Sequence, residues 1–273
     1  MMDQLNVVIR LHDPAKLRQL SAALFAVQAQ HYQPVQAVIV LQNFSPAETG
    51  TVRQVVHSFR WTEPRREPLV VPVDVPPGDQ RTRLLNEGLR RCDGRYLAFL
   101  DYDDVLYRHA YRYLVGRLNR TGAALAFARV YRKDVVLGPT FDHHFARSCP
   151  FQGRGRLDLF RTNFCPLHSY ALDRSRIAAE DLWFDETLTR LEDYELLLRL
   201  CAKYPTDFGG LDKFIGEYIV RNDGSNSVLS EYARDSDNLR QWDEAQHQLQ
   251  RTRTRLTPQL TVQELLEVMQ TSR

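Results

Sequence analysis

The sequence is short of several things, and each shortage removes a class of function. Only four cysteines occur in 273 residues (Cys92, Cys149, Cys165 and Cys201), far apart and with no CxxC pair. That spacing argues against a zinc cluster and against a disulfide framework. Lys and Arg number 36 against 34 Asp and Glu, a formal charge of +2, so no field of one sign gathers nucleic acid. The single basic run, Arg251-Thr252-Arg253-Thr254-Arg255, reads as a solvated helix end. No apolar stretch approaches the ~20 residues needed to span a bilayer. Met1-Met2-Asp3-Gln4 also lacks the basic and apolar regions of a signal peptide. The expected setting is therefore cytoplasmic, with at most peripheral membrane association. Neither GxGxxG nor GxxxxGK[ST] occurs, which excludes Rossmann dehydrogenases and P-loop enzymes.

What is present is a regular alternation of strand and helix signals. Asn6 to Ile9 is an apolar, β-branched run, and Val35 to Leu41 and Leu69 to Val75 repeat the pattern. Tyr96 to Leu100 is a fourth strand that runs directly into Asp101. Between them, Asp13-Pro14 opens a helix with Leu17, Leu20, Leu24 and Val27 at helical spacing, a second helix covers Ala47 to Phe59, and a third covers Arg81 to Arg91. This order predicts an α/β fold with a mostly parallel sheet flanked by helices. Ligands of such sheets bind beyond the carboxyl ends of the strands, where Gln42-Asn43 and Asp101 to Asp104 both lie. Further on, a helix is expected over Ala110 to Leu118, a strand over Ala123 to Tyr131, a long loop from Gly138 to Leu157, and an apolar helix over Leu191 to Ala202. Beyond Ser227 the chain turns polar and helical, with a Thr261-to-Glu264 capping box.

Asp101-Tyr102-Asp103-Asp104 sets three carboxylates at the tip of an apolar strand. Mutual repulsion makes such a cluster costly unless a cation neutralises it. Mg²⁺ accepts one or two carboxylates together with phosphate oxygens and water, the arrangement suited to a nucleoside diphosphate. An acidic turn capping the next helix is the alternative, and Asp104 can be read as that cap. Downstream, Glu192-Asp193 starts the apolar helix, where the dipole favours ionised carboxylates. A carboxylate at a pocket edge can act as a general base toward a hydroxyl. An ordinary acidic helix start explains the same pair.

Several residues stand in one order: Asn86-Glu87-Gly88, Gly94-Arg95-Tyr96 leading to Asp101-Tyr102-Asp103-Asp104, Phe184-Asp185-Glu186, and Glu192-Asp193. That ordered set resembles family 2 glycosyltransferases, and the resemblance covers about Asn6 to Ser227. It implies a GT-A (nucleotide-diphospho-sugar transferase) fold over residues 1–228 with a C-terminal helical extension over 229–273. It also implies a metal-dependent, inverting transfer from a nucleotide-sugar, a UDP-sugar first among them, to a glycan or lipid-linked glycan, as in bacterial-type surface polysaccharide synthesis. By the resemblance, Asp103 and Asp101 hold Mn²⁺ or Mg²⁺, and Asp101, Gln42, Asn86 and Arg83 (or else Arg81) bind the donor. Asp193 is the general base, and Glu192 and His168 line the acceptor side.

The chain departs from the family in three places. Arg10-Leu11-His12-Asp13 replaces a P-T-Y-N-like strand end, Gln42-Asn43 replaces an acidic residue at the second strand end, and Asn222 in Tyr218-Ile219-Val220-Arg221-Asn222-Asp223-Gly224-Ser225 stands near where a histidine is common. These departures motivate a second expectation, a non-catalytic nucleotide- or glycan-binding relative. A third is a haloacid-dehalogenase-type phosphatase, since Asp101 to Val105 satisfies D-x-D-x-V; that motif normally follows the first strand, whereas here 100 residues precede it. Among the remaining residues, His143-His144 reads as a loop surface, Tyr194 as a flank of the base, and Trp183 as core.

Overall fold

The computed structural model describes residues 3–138, 140–223 and 236–271. Its first half follows the alternation in the sequence. Strand β1 (Leu5–Leu11) leads through a 3-10 turn to helix α1 (Leu17–Gln28), then β2 (Val35–Gln42), α2 (Pro46–His57), β3 (Leu69–Val73), α3 (Arg81–Arg91) and β4 (Tyr96–Phe99). β4, β1, β2 and β3 lie side by side and parallel. Their apolar residues are buried on both faces. Val7 and Ile9 of β1 join the core under α1 and α2, while Val8 between them joins the core under α3, as the two-residue strand period requires. The Asn-x-Gly of α3 has a packing reason: a Cβ on Gly88 would stand 2.4 Å from Val8 Cγ1, so glycine lets this helix sit close on the sheet.

The second half departs from a simple alternation. After β5 (Val105–Leu106) and α4 (Ala110–Thr121), the stretch expected as one strand divides at Ala128 into β6 (Leu125–Phe127) and β7 (Arg129–Val136), which belong to different sheets. The region expected as a long loop contains strand β8 (His143–Ser148), antiparallel to β7. All six β8 residues are exposed, so the alternating apolar signal that reveals a half-buried strand is missing. His143-His144 lies on that exposed strand. Helix α5 (Arg156–Arg161) follows, and β9 (Tyr170–Asp173) enters the main sheet antiparallel between β4 and β6.

Helix α6 (Glu192–Lys203), β10 (Thr206–Asp207) and β11 (Phe214–Arg221) come next. The main sheet then runs β10-β6-β9-β4-β1-β2-β3, and a second sheet runs β5-β11-β7-β8. The second sheet carries β11 across the carboxyl end of β4, which is what builds the site.

Helices α7 (Ser236–Arg255) and α8 (Val262–Thr271) close the chain. The Thr261 cap is present, with the Thr261 backbone N–H donating to Glu264 at 2.8 Å and the Glu264 N–H donating to Thr261 Oγ1 at 3.2 Å. The boundary expected between 228 and 229 falls outside the described residues, as do Gly224-Ser225. Among the described residues no helix is long and apolar enough to cross a membrane.

Candidate functional site

Parallel pairing of β1 with β4 matches Val8 with Phe99. Two residues further along each strand, the same register sets Arg10 beside Asp101. The Arg10 Nε donates to Asp101 at 3.0 Å and its Nη1 donates to Glu192 at 2.8 Å. One guanidinium thus spans the acidic strand end and the first residue of α6. Burial works against its charge, but Asp101 and Glu192 more than offset this, and its pKa is raised above the usual arginine value. In the sequence Arg10 stands out only as a departure from the family's first strand end.

Asp103 and Asp104 are held from β11. The Arg221 Nη1 donates to Asp103 Oδ2 at 2.5 Å and its Nη2 donates to the Asp103 carbonyl at 2.9 Å. Burial, reinforced by Asp104, pushes the Asp103 carboxyl up to about 7 even with Arg221 beside it. Asp104 is 4% exposed. One of its oxygens accepts the Ile219 N–H at 2.8 Å, and the other lies 3.0 Å from His168 Nδ1. That second approach is not aligned as a hydrogen bond, so it is an electrostatic contact. Asp104 does not cap α4, whose N-terminal flank is His109; it anchors the acidic loop to β11. His168 is 1% exposed and stacks parallel to Tyr218 at 6.3 Å. It therefore lies beneath the site and not on an acceptor surface.

Two cavities meet here. The first, about 320 Å³, is lined by Asp101, Asp103, Gln42, Arg81, Asp79 and Tyr218, among others. The second, about 360 Å³, is lined by Glu192, Asp193, Phe151, Arg190, Trp242 and Gln246, among others. Arg10, Arg81, Asp101 and Tyr218 line both. Gln42 donates through Nε2 to the Gly78 carbonyl at 2.9 Å, which draws the loop before α3 over the first cavity. Burial would raise Asp79, but Arg81 and Arg190 hold it down at about 2. Their contacts, 2.6 Å from Arg81 and 2.9 Å from Arg190, tie that loop to the second cavity.

Asp193 stands at the N-terminus of α6. Burial, and then the neighbouring Glu192, push its carboxyl up to about 7, while the Tyr194 backbone N–H donates to it at 2.7 Å. The residue before the pair, Leu191, has φ +59°, a left-handed conformation that costs a non-glycine residue about 1–2 kcal/mol. Such strain concentrates where a chain must aim functional groups.

Other expected residues fall elsewhere. Arg83 is not among the residues lining either cavity, whereas Arg81 lines both. Asn86 is buried, donating to the Phe184 carbonyl at 2.9 Å and to Glu186 at 3.0 Å while accepting the Phe184 N–H at 2.8 Å. It clamps α3 to the Phe184-Asp185-Glu186 segment. Tyr194 is core, with its hydroxyl donating to the Leu159 carbonyl at 2.6 Å. Trp183, expected in the core, is 44% exposed with Arg199 over its ring at 4.5 Å. Its neighbours along the chain pack inward, and the guanidinium covers its outer face. Among the described residues no three His, Cys, Asp or Glu side chains converge as a ready-made metal site.

The fold is shared with solved structures of sugar-transferring enzymes. Among solved structures, S. aureus TarS 1-349 in complex with UDP superposes with a TM-score of 0.58 at 11% identity, over 81% of this chain and 61% of that one. TarS 1-349 in complex with UDP-GlcNAc superposes with a TM-score of 0.56 at 12% identity, over 80% and 59%. The mannosyltransferase PcManGT from Pyrobaculum calidifontis, in complex with GDP-Man and Mn²⁺, does so at 0.51 and 12% identity, over 76% and 55%. The chain thus spans about three-fifths of the length of these structures, and the likeness establishes the GT-A fold. No curated protein matches the sequence. The family model described as glycosyl transferase family 2 matches residues 17–179, more than half of the chain, which removes the phosphatase reading. The chain belongs to glycosyl transferase family 2 and has a GT-A fold.

Proposed function

We propose that the protein transfers a sugar from a nucleotide-diphosphate sugar in the first cavity to a hydroxyl of a glycan or lipid-linked glycan in the second, with inversion at the anomeric carbon. The observation that carries this reading is the shared wall, in which Arg10, Arg81, Asp101 and Tyr218 border both spaces. A donor held against the acidic strand end then meets an acceptor held against Asp193. The acceptor oxygen attacks the anomeric carbon, the carbon–oxygen bond to the diphosphate breaks, and the nucleoside diphosphate leaves with the bonding electrons. Asp193 takes the acceptor proton. A base whose pKa lies near neutral pH is well matched to that transfer. A single displacement inverts the centre because base and leaving group occupy opposite cavities. Arg81 and Arg10 stand where negative charge develops on the leaving group.

A divalent cation belongs to this proposal. Arg221 engages Oδ2 of the Asp103 carboxylate and the Asp103 carbonyl, and among the described residues no second side chain donates to that carboxylate. Asn222 is turned away, its Oδ1 accepting the Leu137 N–H at 2.9 Å. This donor set fits an ion that takes one or two carboxylates and completes its shell with diphosphate oxygens and water. Asp103, with Asp101 beside it, would hold Mn²⁺ or Mg²⁺, and the bound ion supplies Lewis-acid stabilisation of the departing diphosphate. The Mn²⁺ and GDP-Man recorded with PcManGT, and the UDP and UDP-GlcNAc recorded with TarS, support a metal and a nucleotide-sugar without choosing the base. A cytoplasmic role in surface-polysaccharide synthesis is the setting we propose.

The experiment is a thermal-shift screen of UDP- and GDP-sugars with Mn²⁺, followed by Asp193→Asn. A true donor raises the melting temperature because it binds only the folded state, and Asp193→Asn keeps that shift while losing transfer. Transfer at the wild-type rate by Asp193→Asn would sink the base assignment. Binding without turnover by the wild type would favour the non-catalytic relative suggested by Gln42 and Asn222.

A further inference from the structure

We propose that the face of α7 bearing Trp242 and Gln246 is an acceptor subsite for a pyranose ring, so that the hydroxyl offered to Asp193 belongs to a sugar. The inference rests on the transfer reaction proposed above and assigns the residues that hold its acceptor. It starts from helix geometry. Asn238, Trp242, Ala245, Gln246, Leu249 and Arg253 follow one another at steps of one, three and four residues, which places them along one side of α7.

That side is fixed to the enzyme at several points. Asn238 accepts from Arg190 Nε at 3.1 Å, two residues before Glu192. Ala245 and Leu249 are buried. Arg253 donates to the Tyr194 hydroxyl at 2.7 Å and to the Arg161 carbonyl at 3.2 Å. Trp242 and Gln246 thus enter the second cavity from a rigid helix docked on α6, and it is α6 that carries Asp193. Binding groups on a buttressed helix hold their geometry better than groups on a loop.

The chemistry of the cavity selects a sugar. Trp242, Tyr218 and Phe151 supply aromatic faces, and Phe151 meets the Tyr218 ring edge-on at 5.6 Å. Asn163 and Gln246 supply amides that both donate and accept. A pyranose needs both kinds of surface, an aromatic plane for its C–H face and amides for its hydroxyls. An alkyl chain would leave the amides and carboxylates unsatisfied. An anionic acceptor would call on Arg190, Arg10 or Arg81, and each is already paired with a carboxylate, Arg190 and Arg81 with Asp79 and Arg10 with Asp101 and Glu192.

The test uses the full chain and the nucleotide sugar found by the thermal-shift screen. Transfer is measured to p-nitrophenyl glycosides, to dodecanol and to a Ser/Thr peptide, for wild type, Trp242→Ala, Trp242→Phe and Gln246→Ala. Trp242→Ala should raise the KM for the glycoside about tenfold, with kcat and the donor melting shift within twofold of wild type. Trp242→Phe should recover most of the loss, and Gln246→Ala should raise KM less. Should Trp242→Ala melt well below wild type, the comparison passes to Trp242→Phe and Gln246→Ala. An unchanged glycoside KM in the variants, or wild-type transfer to dodecanol or peptide but to no glycoside, overturns the subsite while leaving the reaction standing. If no nucleotide sugar shifts the wild type, the reaction itself falls and the subsite with it.

Discussion

At the residue scale, Asp193 is the base we propose. A carboxyl that titrates near 7 in the folded chain is still ionised from about 4 upward in the unfolded one. Between those values the native state holds a proton that the unfolded state has lost, so stability falls as pH rises across that window and is level above it. Asp193→Asn removes the effect while leaving an oxygen to accept the Tyr194 N–H. The variant should melt a few degrees above wild type at pH 8 and match it at pH 4, as followed by calorimetry. In the same window the transfer rate of the wild type should climb with pH through about 7. A rising limb near 4 instead would mean that a carboxylate of ordinary pKa is the base.

Asn86 makes the opposite case among single residues. Its position in Asn86-Glu87-Gly88 suggested donor binding, whereas its three hydrogen bonds hold one segment through Phe184 and Glu186, 98 and 100 positions away. Nothing in the local sequence distinguishes these roles, because an amide serves a nucleotide and a backbone equally well.

At the scale of elements, that clamp gives a prediction. Asn86→Ala leaves the buried Phe184 N–H and carbonyl without partners, which costs about 2–3 kcal/mol. The variant should melt lower, while calorimetric donor affinity measured in the cold stays at the wild-type value. A drop in affinity without a drop in stability would return Asn86 to the donor site. The strands and helices themselves were legible wherever they bury a face. β1, β2, α3 and β4 follow from apolar periodicity, and their observed ends lie within about two residues of the expected ones. β8 was invisible because both of its faces are wet. β9 and β11 were missed because each is placed by partners far away in the chain. Of the two, β11 matters more, since it delivers Arg221 to Asp103 and the Ile219 N–H to Asp104.

At the scale of the whole molecule, the C-terminal helices expected as an extension pack against the rest of the chain. α7 buries Leu249 and Ala245, and α8 supplies Glu264 to Arg156 at 2.5 Å. Ending the chain after residue 228 should therefore remove about 3 kcal/mol or more of stabilisation. The shortened protein should melt about 10 °C lower, a shift readable by circular dichroism. An unchanged melting temperature would mean that residues 1–228 form a self-sufficient domain, with the extension merely attached.

The division between what was written locally and what was assembled follows from the range of the forces. By itself the sequence determined the parallel sheet, the acidic tip of its fourth strand, the acidic start of α6 and the family these imply, because periodicity, caps and charge clusters are set by neighbours a few positions apart. Only the tertiary structure decided that Arg10 bridges Asp101 to Glu192, that His168 lies beneath the site, that Arg81 and not Arg83 faces it, and that Trp242 lines its second cavity. Those facts depend on strand register and helix docking between segments roughly 40 to 180 positions apart. Such placement is fixed by the packing of the whole core, and no local pattern encodes it.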